Sequence, residues 1–154
     1  MRNFVYALIL PLLFSCSSDD DNNVEPNVSE GIVKIEVTTT AVDNNFEEAL
    51  NIQVVGNAID KTTVSGATWD EVQQPHNTTK WFFVQHDVKN TAVYETSNKV
   101  TSVTYASVIS PKEDVTNPLQ ATVKFYVDGK LKHTESFTAG DEVKQVSLPF
   151  VVAK

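Results

Sequence analysis

The amino-acid sequence predicts an all-β protein folded as a single β-sandwich, with an Ig-like arrangement as the first choice and a small jelly roll as the second. Three observations support this fold class. Apolar and polar residues alternate with a period of two in several short runs, turn residues separate the runs, and no window has the apolar period of an amphipathic helix. Alternation does not encode the order in which strands pair, so the choice between the two connectivities stays open.

Two runs near the start of the domain carry the alternation most clearly. Their apolar members are Val33, Ile35 and Val37 in the first run, and Leu50, Ile52 and Val54 in the second. Each run predicts a strand with one buried face, and Asp43-Asn44-Asn45 between them predicts a turn. Ala58 to Val64 predicts a third, weaker strand, and the Gly, Pro, Asn and Thr residues from Gly66 to Thr79 predict a long loop.

The densest aromatic stretch of the chain, KWFFVQHDV from Lys80 to Val88, predicts a central strand. Both faces of this strand are apolar at its start, because Phe82 lies on one face and Trp81 and Phe83 lie on the other. Since a sandwich buries aromatic rings between its sheets, Trp81 and Phe83 are interpreted as core residues. Three further elements are predicted downstream: a strand over Val100 to Ile109, a polar connection over Pro111 to Pro118, and an edge strand over Val146 to Phe150, which contains a proline.

Asp128-Gly129, between two alternating runs, is the strongest hairpin signal in the sequence. A two-residue loop would pair Tyr126 with Leu131. A three-residue loop, with the glycine in a left-handed bulge, would pair Phe125 with Leu131. We expect the second register, because it places apolar residues on one shared face.

The composition restricts the class of protein. The chain has 154 residues, a formal net charge of -8 and one cysteine, so it can form no internal disulfide. Its only arginine, Arg2, lies at the amino terminus, in the segment that is interpreted below as a signal peptide. An acidic chain without the arginine fork is poorly suited to binding phosphate, which excludes nucleic-acid binding as a function class. Residues 31–154 predict one domain, which is long enough to bury a core of its own.

The first residues predict an export signal. One positive charge precedes an apolar segment from Phe4 to Phe14, which is shorter than the roughly 20 residues of a membrane-spanning helix. Residues 1–15 are therefore interpreted as a cleaved signal peptide. Leu13-Phe14-Ser15-Cys16 resembles the lipobox of bacterial lipoproteins. This resemblance implies that Cys16 is lipidated, becomes the first residue of the mature chain and holds the protein on a membrane.

An acidic segment follows the cysteine. Residues 16–30 have no apolar period, so they predict a disordered tether with a root-mean-square length on the order of 20 Å. Ser17-Ser18-Asp19-Asp20-Asp21 is similar to the run after the cysteine in Bacteroidota-type lipoproteins. That resemblance implies an outer-membrane protein displayed on the cell surface, with display on the periplasmic face as the alternative.

No residue pattern points to catalysis or to a metal. The histidines, His76, His86 and His133, lie outside any catalytic motif, and their spacing does not suit zinc. Residues 43–48 place several oxygen ligands in one turn, but they lack the glycine and the spacing of an EF-hand, so a solvated turn is favoured over a calcium site. The sequence therefore predicts no enzyme, no metal site and no cofactor.

Aromatic residues provide the candidate ligand contacts, because exposed rings stack on sugars and anchor protein partners. The candidates are Trp69, Trp81 and Tyr94, of which Trp69 lies in an otherwise polar loop segment. The expected function is a lipid-anchored, non-catalytic binding or structural module of the cell envelope that contacts a glycan or protein partner. The alternative is a protein inhibitor or an accessory subunit of a periplasmic or outer-membrane complex.

Overall fold

A computed structural model describes residues 29–40, 45–69, 78–112, 115 and 117–153. The predicted signal peptide, most of the predicted tether, and Asp43 and Asn44 of the predicted turn lie outside these ranges. The strands of the described chain are β1 (Val33–Thr39), β2 (Phe46–Val55), β3 (Thr68–Trp69), β4 (Thr79–Asp87), β5 (Thr91–Glu95), β6 (Ser102–Pro111), β7 (Leu119–Val127), β8 (Lys130–Ala139) and β9 (Lys144–Val151).

The strands form two antiparallel sheets that pack face to face as a β-sandwich, which confirms the predicted fold class. One sheet has four strands in the order β5-β1-β7-β8, and the other has five in the order β3-β4-β2-β6-β9. The connectivity that the sequence left open places β1 and β2 in different sheets. In an immunoglobulin constant domain, by contrast, the first two strands are neighbours in one sheet.

The period-two alternation of the sequence produces the core between the sheets. In β1, β2 and β7, the side chains at every second position are buried, apart from the last position of β1. Three rings of this core are Tyr105 on β6, Phe82 on β4 and Phe125 on β7, none of them more than 2% exposed. Full burial of an apolar side chain stabilises a fold by about 1.5–3 kcal/mol, so this interior holds the two sheets together.

The segment from Ala58 to Val64 does not form the predicted third strand. Ile59–Lys61 is a 3-10 turn, and within this segment only Val64 makes a β-bridge. Lys80, which is buried on β4, donates a hydrogen bond from its Nζ to the carbonyl of Thr62 at 2.9 Å. A lysine side chain thus satisfies a carbonyl that strand pairing would otherwise satisfy, and residue alternation carries no sign of such a contact.

β4 is a central strand over part of its length. On one side it pairs with β2 along its whole length, from Thr79 to Asp87. On the other side, within the described ranges, it pairs with β3 at Phe82 and Phe83 alone. β3 lies inside the predicted long loop, of which residues 70–77 are outside the described chain. The predicted central position is therefore confirmed at Phe82 and Phe83.

The β7–β8 hairpin has a two-residue loop, so the expected three-residue loop is wrong. Asp128 and Gly129 have φ values of 48° and 78°, as in a type I′ turn, whose twist matches that of the flanking strands. Tyr126 pairs with Leu131. A register shift beyond this pair then places Phe125 opposite His133. The extra residue lies in β8, so Phe137 and Ala139 come to lie opposite the buried Ala121 and Leu119 of β7 although the loop is short.

Gly129 provides a test of the turn geometry. An alanine there would have to keep a φ near 78°, where residues with a Cβ are destabilised by roughly 1–2 kcal/mol. We expect Gly129→Ala to lower the free energy of unfolding by about 1 kcal/mol in urea denaturation. Gly140→Ala is the matched control, because a Cβ at either glycine meets no atom within 4 Å and Gly140 has no positive φ. Equal effects of the two substitutions would contradict the type I′ turn.

Candidate functional site

The candidate ligand contacts lie in three different settings. Trp69 is the last residue of β3 and pairs with Phe82 in register. Trp81 is half-buried on β4. Tyr94 on β5 is only 3% exposed, so its expected role as a surface contact is wrong: its ring belongs to the core. Cys16 and His76 lie outside the described residues.

Trp81 and Phe83 lie on the outer face of the five-stranded sheet, which corrects their interpretation as core residues. The inward positions of β4 are taken by Lys80 and Phe82, both buried, and alternation directs the residues between them outward. Phe83 is 42% exposed. Because β4 has an apolar residue on each face at this point, the sequence alone did not distinguish the inner face from the outer one.

On the outer face of the five-stranded sheet, the described strands β4, β2, β6 and β9 carry no charged residue over four consecutive rows of paired positions. We call this surface the neutral face. Its members are Thr79, Trp81, Phe83 and Gln85 on β4, Val55, Gln53, Asn51 and Ala49 on β2, Ser102, Thr104, Ala106 and Val108 on β6, and Val151, Pro149, Ser147 and Gln145 on β9. The next row carries Glu47 opposite Asp87, so the neutral face ends at a charged border.

The outer face of the four-stranded sheet has the opposite character. Glu36 on β1 lies 3.6 Å from the ammonium group of Lys34 and 4.0 Å from that of Lys124. Lys34 also lies over the ring of Tyr126, at 4.1 Å from its centroid. Ion pairs of this kind are typical of a surface that faces water. Charged residues make up 21% of the chain, and their absence from the neutral face therefore distinguishes that face from an ordinary solvent-facing sheet.

A second cluster of polar residues lies inside the sandwich. Glu48 on β2 is 5% exposed, and its Oε1 accepts hydrogen bonds from the hydroxyl groups of Tyr105, at 2.5 Å, and Ser107, at 2.6 Å. Its Oε2 lies 3.7 Å from Nε2 of His86. The same Nε2 lies 3.2 Å from the hydroxyl group of Tyr94. The cluster thus connects β2, β4 and β6 of one sheet with β5 of the other.

The hydrogen bonds of His86 determine which of its nitrogens carries a proton. Nδ1 lies 2.7 Å from the carbonyl oxygen of Asp87, and because a carbonyl can only accept, Nδ1 must donate. In the neutral imidazole, Nε2 is then an acceptor, and the hydroxyl group of Tyr94 donates to it. Burial raises the pKa of both Tyr94 and Tyr105, and the nearby carboxylate of Glu48 raises each further. Both phenols therefore remain donors around neutral pH.

The raised tyrosine pKa values predict how stability depends on pH. The unfolded chain releases these two protons near the ordinary tyrosine pKa of about 10, whereas the folded chain retains them. The free energy of unfolding is therefore intact below pH 10 and falls as the pH rises above it. We expect the phenolate absorbance of Tyr94 and Tyr105 to appear together with the loss of the far-ultraviolet β signal. Their ionisation in a protein with intact β structure would contradict the closed cluster.

The buried cluster has the geometry of a structural connection between the sheets. It lies between two apolar groups of the interior, a larger one that includes Phe82 and Phe125 and a smaller one that includes Phe46 and Ile109. Sequence reasoning missed it, although one signal was available. Glu48 occupies an inward position between Phe46 and Leu50, and a carboxylate in that phase requires buried donors.

The described chain contains no group of three or more histidine, cysteine or acidic side chains that could hold a metal ion. His133 is exposed on β8, where it pairs with Glu135 at 2.9 Å and lies 6.1 Å from the ring of Phe125.

Over the described residues, no helix is both long and apolar enough to cross a membrane.

Comparisons with known proteins identify the fold and no function. No protein-family model matches the chain, and no curated protein matches it. Two solved structures are similar, both of DUF4425 proteins from Bacteroides species. A domain of unknown function from Bacteroides vulgatus has 15% sequence identity and a TM-score of 0.52, over 81% of this chain and 97% of that one. A family member from Bacteroides ovatus has 13% identity and a TM-score of 0.54, over 79% and 95%.

Proposed function

We propose that this protein is a non-catalytic binding module of the cell envelope, anchored by lipid at Cys16 and displayed on the outer membrane surface, which contacts its partner with the neutral face. The observation that carries the binding function is the contrast between the two outer faces of the sandwich. One has paired charges, and the other has none over four rows and presents Trp81 and Phe83. A surface that only faced water would have no reason for this difference.

The anchoring half of the proposal rests on the sequence. The short apolar segment, the Leu13-Phe14-Ser15-Cys16 motif and the acidic run after it resemble those of exported lipoproteins. Two or more acyl chains would hold the protein stably on the membrane. A tether that ends before Ser29, whose backbone N–H already donates to the carbonyl of Val152 at 3.0 Å, would let the domain turn either outer face towards its surroundings. No residue of the neutral face would then be needed for attachment.

Replacement of the cysteine tests the anchor. We expect the unaltered chain to sediment with the outer membrane and to be removed from intact cells by added proteinase. Labelled palmitate should enter the unaltered chain and the Ser17→Ala variant, and it should not enter Cys16→Ala. Incorporation of the label into Cys16→Ala, or its absence from the unaltered chain, would contradict lipid anchoring at Cys16. Protection of the unaltered protein until the outer membrane is opened would place the domain in the periplasm, where an accessory subunit or an inhibitor would act.

A further inference from the structure

We infer that the neutral face binds an uncharged glycan chain across Trp81 and Phe83. This inference rests on the proposed function and names its ligand class. The two aromatic residues are two positions apart on β4, so their Cα atoms are separated by roughly 7 Å along the strand. Two aromatic rings on one side of a strand can stack against successive sugar rings of an extended chain.

Amide side chains lie next to both aromatic residues. Gln53 is the residue of β2 directly opposite Trp81, and Asn51 is directly opposite Phe83. Directly opposite residues have Cα atoms about 4.5–5.5 Å apart, and their side chains share one face. An amide offers two donors and an acceptor, which suits sugar hydroxyl groups because these both donate and accept. Each ring is therefore paired with a group that can hydrogen-bond to a sugar stacked on it.

The charge of the face specifies the class of glycan. No cation lies in the four rows of the neutral face, so the carboxylate or sulfate of an anionic polysaccharide would lose its hydration without gaining a charged partner. An uncharged chain has no such cost. The centres of protein interfaces are enriched in Trp, Phe, Tyr, Met and Arg and depleted in charged residues and Ser. Trp81 and Phe83 fit that composition as well, whereas the Ser, Thr, Gln and Asn residues that occupy much of this face suit the hydroxyl groups of a sugar.

Affinity electrophoresis tests the inference on the full chain, as processed by the cell and extracted in detergent. The gels contain starch, xylan, mannan or mixed-linkage glucan as neutral probes, and polygalacturonate as the anionic one. We expect retardation by at least one neutral polysaccharide. Trp81→Ala and Phe83→Ala should each weaken it by about tenfold, the usual scale for a buried aromatic contact. Asn51→Asp, which places a charge beside Phe83 with almost no change of shape, should weaken it as well.

The matched control is an aromatic residue on the other outer face. Tyr126→Ala removes a ring from the four-stranded sheet, and it should leave retardation unchanged. In a Trp69→Phe background, Trp81 is the only tryptophan, so saturable quenching by the bound polysaccharide would place the sugar at that ring. Absence of retardation by every neutral probe, retardation by polygalacturonate alone, or an equal loss with Tyr126→Ala would each overturn the inference.

Failure of the glycan inference is separable from failure of the proposed function. A photo-crosslinking residue at position 83 that captures a protein in cells, with no neutral polysaccharide bound, would overturn the glycan and leave the binding module in place. Release of the unaltered protein from the membrane fraction would overturn the anchoring instead, whatever the gels show.

Discussion

Glu48→Leu lowers the free energy of unfolding by about 2–3 kcal/mol, and adding Tyr105→Phe to it restores part of that loss. The single substitution leaves the buried hydroxyl groups of Tyr105 and Ser107 without their acceptor, and each unsatisfied buried group costs about 1–3 kcal/mol. Loss of the buried charge removes its desolvation cost and offsets part of this. In the unaltered protein, Tyr105→Phe alone costs about 1.5–3 kcal/mol, because it removes a hydrogen bond to a carboxylate.

The effect of Tyr105→Phe on the free energy of unfolding should change sign between the two backgrounds, which makes this a specific test. Tyr105→Phe should be destabilising in the unaltered protein. In the Glu48→Leu background it should be stabilising, by about 1 kcal/mol, because there it removes a donor that has no partner. Urea midpoints of the four proteins in this double-mutant cycle measure the coupling, provided that the slopes agree. Additive effects would show that the carboxylate and the phenol do not form a buried pair.

Phe125→Ala should be among the most damaging single changes, lowering the free energy of unfolding by about 3–5 kcal/mol. The ring is fully buried and stacks on Phe150 of β9 at 5.0 Å between centroids. It therefore joins the four-stranded sheet to the five-stranded one, and its removal leaves a cavity at that contact. Because small domains have only about 5–15 kcal/mol of stability in total, the variant should have a much lower melting temperature.

Phe83→Ala is the matched control, because it makes the same chemical change on the outer face. Because Phe83 is 42% exposed, Phe83→Ala should lower the free energy of unfolding by less than about 1 kcal/mol. Calorimetric or urea-induced unfolding of the two variants gives the comparison directly. Similar losses would mean that Phe83 contributes to the core, which would remove it from the neutral face.

The sequence predicted the sandwich and most of its strands because alternation reports which side of a strand is buried. It was least informative where contacts are distant in sequence. Next to the 3-10 turn at Ile59–Lys61, the carbonyl of Thr62 is bonded by the distant Lys80. The pairing order of the sheets depends on contacts that no local pattern records. At the hairpin, the shared apolar face predicts a three-residue loop and the turn preference of Asp128-Gly129 predicts a two-residue loop. The two-residue loop forms, and a register shift in the hairpin accommodates the apolar face.

The candidate site was predicted only in part. The sequence predicts Trp81 both as a ligand contact and as a core residue, since both faces of its strand begin with aromatic residues. Tyr94 was placed on the surface because nothing local reveals that its hydroxyl group meets His86 inside the sandwich. The neutral face became apparent only when the register brought uncharged residues of four strands together, because each strand by itself reads as an ordinary half-buried strand.

A pair of photo-crosslinking substitutions in intact cells tests the central claim most directly. Phe83 and Val93 are 42% and 44% exposed, and they lie on the outer faces of opposite sheets. Introduced at position 83, the crosslinking residue should give a discrete envelope adduct, glycan or protein, that the same residue at position 93 does not give. The same adduct from both positions, or an adduct from position 93 alone, would contradict binding through the neutral face.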